Sequence, residues 1–458
     1  MAVQRLWQGP ATYPVISTGL MIGISLTVLA VMTKVVYNLF FHPLSRFPGP
    51  RSHAISRIPY LYRAVMGTLP FDMLEFHKRY GDVVRIAPDE LASAHPDAWK
   101  EIQGHRKGQR EMEKAQWFYR PLPDDPLHIE PIIRGYVDLL MQQLRKFAQE
   151  DAPVIISDWY NYTTFDIIGD LAFGEPFGCL EGSPYDGWIR GIFASGRLGT
   201  ILQALSFYPL LKQICFAMTP QSMRDAHDTH RRLTREKMLR RMNNTEGPGE
   251  YAPGFAGLCL IIGGSETTAT LLSWVTYLLL KNPATYQKLT KEVRTVFQSE
   301  DEINLVSVNQ LLYMQACLDE ALRMYPPIAN GLPRVCPKGG ATVMGEFIPE
   351  NTYVSVHHWA LYRREDYFTE PSSYQPERFL GHPKFENDRH EVLQPFHMGP
   401  RAYLGRNLAY SEIRLIIALI IWNFDLKLAD DCQDWIKEKN FLMWQKGPLK
   451  TYLTPAER

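Results

Sequence analysis

No charged residue occurs between Gln8 and Thr33, and from Val15 to Met32 only Ser and Thr interrupt an apolar run. A helix needs about 20 mainly apolar residues to cross the hydrocarbon core of a bilayer. The run has that length. A cleaved signal peptide would carry a shorter apolar stretch and a small-residue cleavage site. Here the apolar character passes through Lys34 into Val35-Val36-Tyr37-Asn38-Leu39-Phe40-Phe41, where the lysine stem can snorkel. Lys34, Arg46 and Arg51 follow the run and Arg5 alone precedes it. The positive-inside tendency then puts the body on the cytosolic side of a single-pass anchor over 13–37. The sequons at Asn161 and Asn243 would in that case never meet the glycosylation machinery.

The segment from Phe41 to Arg51 carries Pro43, Pro48, Gly49 and Pro50. Proline fixes its own torsion and ends helices, so 38–59 reads as a stiff elbow between anchor and body, although any linker could have this composition. From residue 60 to 458 there is no repeat, no low-complexity tract and no long linker. Helical apolar spacing recurs over 130–149, 158–173, 223–242, 254–281, 284–298, 308–325 and 407–422. Alternation at Val83–Ile86, Ala341–Phe347 and Thr352–Val356 predicts a minor sheet with small hairpins. The body is therefore expected to be one mainly α unit with small β-sheets.

Composition excludes some partners. The 49 basic residues balance 49 acidic ones, which removes the net attraction to phosphate that a nucleic-acid binder shows. Six scattered cysteines form no CxxC pair, so neither a disulfide framework nor a zinc ribbon is indicated.

Three stretches carry chemistry. The segment Phe255–Leu280 is apolar nearly all round, the mark of a helix buried in a large core, yet Gly263-Gly264-Ser265-Glu266-Thr267-Thr268 interrupts it. Interior glycines cost a helix about 1 kcal/mol each relative to alanine, and a buried acid needs a partner. The interruption marks either a site or a close helix crossing with Glu266 turned to solvent. Glu320 and Arg323 stand three apart on one helix face among Cys317, Leu318, Ala321, Leu322 and Met324, before Pro326-Pro327. That setting suits a buried ion pair, and Arg378 in Pro376-Glu377-Arg378-Phe379 could join it through its planar fork. Last, Pro395–Arg406 is a glycine-punctuated loop running into an amphipathic helix, with Arg401 either an anion-binding group or a surface arginine.

In this order the elbow, the GGSETT helix, the Glu320–Arg323 pair, the PERF segment and the FHMGPRAYLGRNLAY loop resemble the cytochrome P-450 family, and within it the membrane-anchored fungal members. The resemblance runs from about residue 13 to 453. It implies the cytochrome P-450 fold, haem as cofactor, a monooxygenase (oxidoreductase) reaction, and a small apolar metabolite of secondary metabolism as substrate. An NADPH-cytochrome reductase as electron donor and an endoplasmic reticulum membrane belong to the same expectation. Residue by residue, Glu266 and Thr267 match the acid and alcohol of the family's proton relay. Glu320, Arg323 and Arg378 match its buried ion-pair cluster, and Arg401 and Arg334 match partners of the haem propionates.

The loop departs from the pattern at one position. The family carries its iron-ligating cysteine two residues after the loop arginine, and this chain has Tyr403 there. Two segments, near 120–132 and 243–252, are also shorter than the family's. Several readings remain open. Tyr403 ligates haem as a tyrosinate, which requires iron or a nearby cation such as Arg401 or Arg406 to hold it ionised. Alternatively the fold persists as a haem-free or non-redox binding or accessory protein, or as an inactive pseudoenzyme. A further alternative is a conventional monooxygenase with another ligand, His397 being one candidate. Two plain structural readings stand beside these: Tyr403 as a packed aromatic in the space of an absent haem, and Thr267 bonding back onto the preceding helical turn.

Overall fold

A computed structural model of the chain describes residues 13–104, 112–114, 130–150, 152–182, 200–201, 203–211, 213, 262–399, 402–403, 405–435, 438–441 and 443–457. The expected helix at 223–242 and both shortened segments, apart from 130–132, lie outside them.

Helix α1 (Tyr13–Val36) continues into a π-turn, Tyr37–Phe41. Within it Met21–Phe41 is long and apolar enough to cross a membrane, and almost none of it is buried by the rest of the chain. The proline-rich elbow is packed down rather than loose. Buried Asn38 donates from Nδ2 to the Ile55 carbonyl at 2.8 Å, and Arg85 donates from Nη1 to the Asn38 carbonyl at 2.9 Å. The Arg85 amide also bonds the Pro48 carbonyl at 2.7 Å.

Beyond the elbow, α2 (Ile58–Met66) and α3 (Leu69–Tyr80) lead to strands β1 (Val83–Ala87) and β2 (Glu90–Ser93). The strands β3 (Glu113–Lys114), β5 (Arg334–Val335) and β8 (Tyr353–Val356) complete a five-stranded sheet in the order β1-β2-β8-β5-β3. β2 and β8 run parallel, with Leu91 opposite Val354, and the other pairs are antiparallel. A second sheet pairs β4 (Val154–Ile155) and β9 (Phe424–Leu428) with β12 (Lys450–Pro455). Two hairpins, β6–β7 (Ala341–Val343 and Glu346–Ile348) and β10–β11 (Lys439–Phe441 and Met443–Gln445), stand apart. The expected alternation at Ala341–Phe347 is thus a hairpin, turned by Met344 and Gly345 at φ 50° and 77°.

The main core is helical. In α4 (Glu130–Phe147), Ile133, Val137, Leu140, Met141 and Leu144 are buried at helical spacing. Glu130 in the first turn and Arg145 and Lys146 in the last complement the helix dipole. Helices α5 (Ile156–Phe173), α6 (Thr267–Lys281), α7 (Pro283–Val296), α8 (Leu312–Met324) and α9 (Arg406–Asn423) pack with it. Every residue of α6 from Thr268 to Leu279 is buried. Trp274 stacks on Tyr325 at 3.9 Å and 10°, and Trp435 and Trp444 close around them.

Glu320, Arg323 and Arg378 join α8 to the chain that follows β8. Arg323 grips Glu320 through both arms, Nε to Oε2 at 2.7 Å and Nη2 to Oε1 at 2.8 Å. Its Nη1 donates to the carbonyls of Tyr362 and Pro371 at 2.9 and 2.8 Å. Arg378 approaches the same carboxylate at 3.3 Å, bonds Asp388, and donates to the Thr369 carbonyl at 2.9 Å. All three side chains are fully buried. Buried charges of this kind are tolerable only when every donor and acceptor is met. Removing one partner of a buried pair costs about 3–5 kcal/mol, so Glu320→Gln is expected to lower the urea midpoint of the full-length protein steeply. An unchanged midpoint would show that the cluster does not lock the core.

Candidate active site

The candidate site is built where a π-turn, Ile262–Glu266, opens α6. A Cβ on Gly264 would come within 2.5 Å of Ile168 Cδ1 on α5, so only glycine permits this crossing. The crossing reading of the glycine pair therefore holds at Gly264. Its companion expectation, Glu266 facing solvent, does not: the residue is 3% exposed. Lys446, just past β11, reaches in to pair with Glu266 Oε1 at 2.9 Å, and Thr270 donates to the same oxygen at 3.3 Å. The ammonium also donates to Thr270 Oγ1 at 2.9 Å and Asn161 Oδ1 at 3.2 Å. Among the described residues, Glu266 Oε2 is buried without a hydrogen-bond partner. Burial pushes this carboxyl up, and Lys446 works against the shift. The carboxylate is thus tied to the terminal hairpin side of the helix.

Thr267 sits one residue further on, and its hydroxyl donates back to the Gly263 carbonyl at 2.7 Å. Tyr403 reaches the same carbonyl from the loop before α9, its hydroxyl donating at 2.7 Å. The loop itself is shaped locally. The Tyr403 amide bonds the Phe396 carbonyl at 2.9 Å, the two rings stack at 6.0 Å and 26°, and a Cβ on Gly405 would meet the Tyr403 ring at 2.7 Å. Tyr403 is 37% exposed, and its hydroxyl rests on the π-turn that opens α6. Burial, and behind it the nearby Glu412, push the phenol up to about 12.

The other predicted residues lie elsewhere. Arg334 on β5 is buried and donates from Nη2 to Gln103 Oε1 at 3.1 Å, and His397 Nδ1 is 2.7 Å from the same oxygen. His397 is turned at φ 59° toward Trp99 and His358, with ring centroids 5.5 and 4.9 Å away. Arg401 lies outside the described residues. Glu320, Arg323 and Arg378 belong to the core cluster rather than to this cleft. No cysteine occupies the loop: Cys317 is buried in α8, and Cys432 bonds the Pro448 carbonyl.

A sequence model of the cytochrome P-450 family matches residues 105–248 and 256–453. The chain belongs to the cytochrome P-450 family. It is 45% identical to the cytochrome P-450 monooxygenase prhB of Penicillium brasilianum over 479 aligned positions, covering 95% of this chain and 98% of the relative. The trichothecene C-15 hydroxylase of Fusarium sporotrichioides is 40% identical, with 94% and 97% covered. The trichothecene C-4 hydroxylase of Trichoderma arundinaceum is also 40% identical, with 95% and 97% covered. The aligned length exceeds the 458 residues of the chain, so these relatives carry residues with no counterpart here. Cytochromes P-450 bind haem, generally draw electrons from a reductase, and act on small metabolites.

As the loop and helix are set here, Tyr403 does not fit the place of an iron ligand. Tyr403 Oη is instead 2.7 Å from the Gly263 carbonyl oxygen, in direct contact with that helix.

Two participants escaped sequence reasoning. Lys446 gives no local signal, because its partner lies 180 positions away. Glu412 does give one: it falls on the Ala409–Ile413–Ile416 stripe of α9, the buried face. It is 2% exposed, Oε2 has no partner, and burial raises its carboxyl well above the usual range. A carboxyl that holds its proton more tightly when folded supplies stability at low pH and loses it as pH rises through the folded-state value. Glu412→Gln lacks that loss, so its urea midpoint should gain on wild type progressively from pH 5 to pH 8. A difference that stays constant with pH would refute this account of Glu412.

Proposed function

We propose that this cytochrome P-450 is a membrane-tethered protein of fungal secondary metabolism that has given up thiolate-dependent oxygen chemistry and serves as a non-redox binding or accessory protein for a small apolar metabolite. The observation that carries the reading is Tyr403, a phenol bonded to Gly263 at the position of the family's cysteine. A thiolate ligand pushes electron density that favours O–O cleavage, and a phenol offers no such donor.

The tyrosinate alternative draws no support from the surroundings of this phenol. A tyrosine ligand must be ionised, and since burial and the nearby Glu412 push this phenol up, iron itself would have to ionise it. Glu266 and Thr267 keep the residue types of a proton relay, but their side chains serve Lys446 and Gly263 respectively. An apolar ligand is in keeping with relatives named for trichothecene hydroxylation. Helix α1 and the basic residues after it favour an endoplasmic reticulum anchor with the body in the cytosol. Electron supply by a reductase would matter only to a haem-bearing form.

The test is spectroscopic. Full-length protein in detergent, reduced and treated with carbon monoxide, is expected to give no thiolate-type red-shifted carbonyl band. It should also form no oxidised product from apolar metabolites with NADPH and a cytochrome reductase. A thiolate-type band, or reductase-dependent turnover, would overturn the reading.

A further inference from the structure

Among the described residues, the Tyr403 side chain joins the loop to the π-turn that opens α6. The Tyr403 ring leaves a loop that its own amide closes onto Phe396, lies against Gly405, and ends on the Gly263 carbonyl at 2.7 Å. Thr267 donates to the same carbonyl from within the helix, also at 2.7 Å. A carbonyl oxygen has two lone pairs, so both bonds can be made together. The phenol is long enough to span from loop to helix, rigid, and polar only at its tip. A Cβ on Gly263 would stand 3.8 Å from the Tyr403 ring, an ordinary contact, so the bridge does not depend on glycine there.

We propose that Tyr403 is a structural bridge that takes the place of haem, holding the loop against α6 so that the haem-free chain is the complete native protein. This rests on the loss of thiolate chemistry proposed above and goes further. A protein without the thiolate could still bind haem, whereas a bridged cleft excludes it.

Three measurements on the full-length chain in detergent test the bridge. Haemin chloride titrated into haem-free wild-type protein in the presence of imidazole is expected to give no saturable Soret band. Tyr403→Gly, which removes the ring, should take up one haemin per chain under the same conditions. Tyr403→Phe removes only the hydroxyl and should melt roughly 1–3 °C below wild type without haemin, as expected for one lost hydrogen bond in a large protein. Gly405→Ala should lower the melting temperature of wild type but much less that of Tyr403→Gly, because contacting residues are non-additive.

Stoichiometric haemin uptake by wild type as readily as by Tyr403→Gly would overturn the bridge. So would equal melting temperatures for wild type and Tyr403→Phe, a comparison that stands even if Tyr403→Gly fails to fold. Uptake by wild type with a carbonyl band not of thiolate type would sink the bridge alone. A thiolate-type band would sink the proposed function.

Discussion

A helix buried on every side leaves its polar groups no water, and the arrangement around Thr267–Lys281 follows from that constraint. Each hydroxyl or charge on it must find a partner inside the protein or be left at a cost of roughly 1–3 kcal/mol. Ser273 bonds back to the Ala269 carbonyl at 2.7 Å, and Thr276 meets the hydroxyl of Tyr160 at 2.8 Å. Glu266 requires a cation, which arrives on Lys446 from the far end of the chain. Gly263, in the π-turn, presents a carbonyl that Thr267 and Tyr403 share. The polar chemistry of the cleft is therefore also the means by which the helix tolerates burial, and a change in one partner is felt by the others.

The core does not depend on residue 403. The Glu320–Arg323–Arg378 cluster ties α8 to Tyr362, Pro371, Thr369 and Asp388. The aromatic group around Trp274 closes the other flank of α6 with Tyr325, Trp435 and Trp444. Among the described residues, neither group draws a bond from the loop before α9. A cytochrome P-450 core assembled in this way can keep its shape while the ligand position changes, because the interactions that specify the packing and those that would specify the cofactor are carried by different residues.

Local spacing made much of this legible. The 3.6-residue pattern of α4, the i,i+3 placement of Glu320 and Arg323, and the elbow prolines each point to their outcome from neighbours within a few residues. Gly264 announced a close approach, though not that Ile168 would be the side chain it admits. What could not be read were facts of long-range pairing. Which way Glu266 faces depends on a lysine 180 residues later, and the π-turn that aims it is set by how α6 meets α5. The target of the Tyr403 hydroxyl is likewise a backbone carbonyl 140 residues earlier, with no side-chain signature at all.

Tyr403 also separates a retained fold from a decaying one. A residue fixed by accident in an eroding site has no reason to agree with its surroundings, and a polar aromatic in a tight loop has many ways to disagree with them. Here the ring stacks on Phe396, the adjacent Gly405 lacks the Cβ that would strike it, and the hydroxyl meets an acceptor at good distance. A shorter side chain would not reach Gly263, and phenylalanine would leave the bond unmade. Agreement at the levels of loop geometry, packing and hydrogen bonding is the mark of a sequence that specifies one structure. By that criterion Tyr403 agrees with its loop in packing and hydrogen bonding alike.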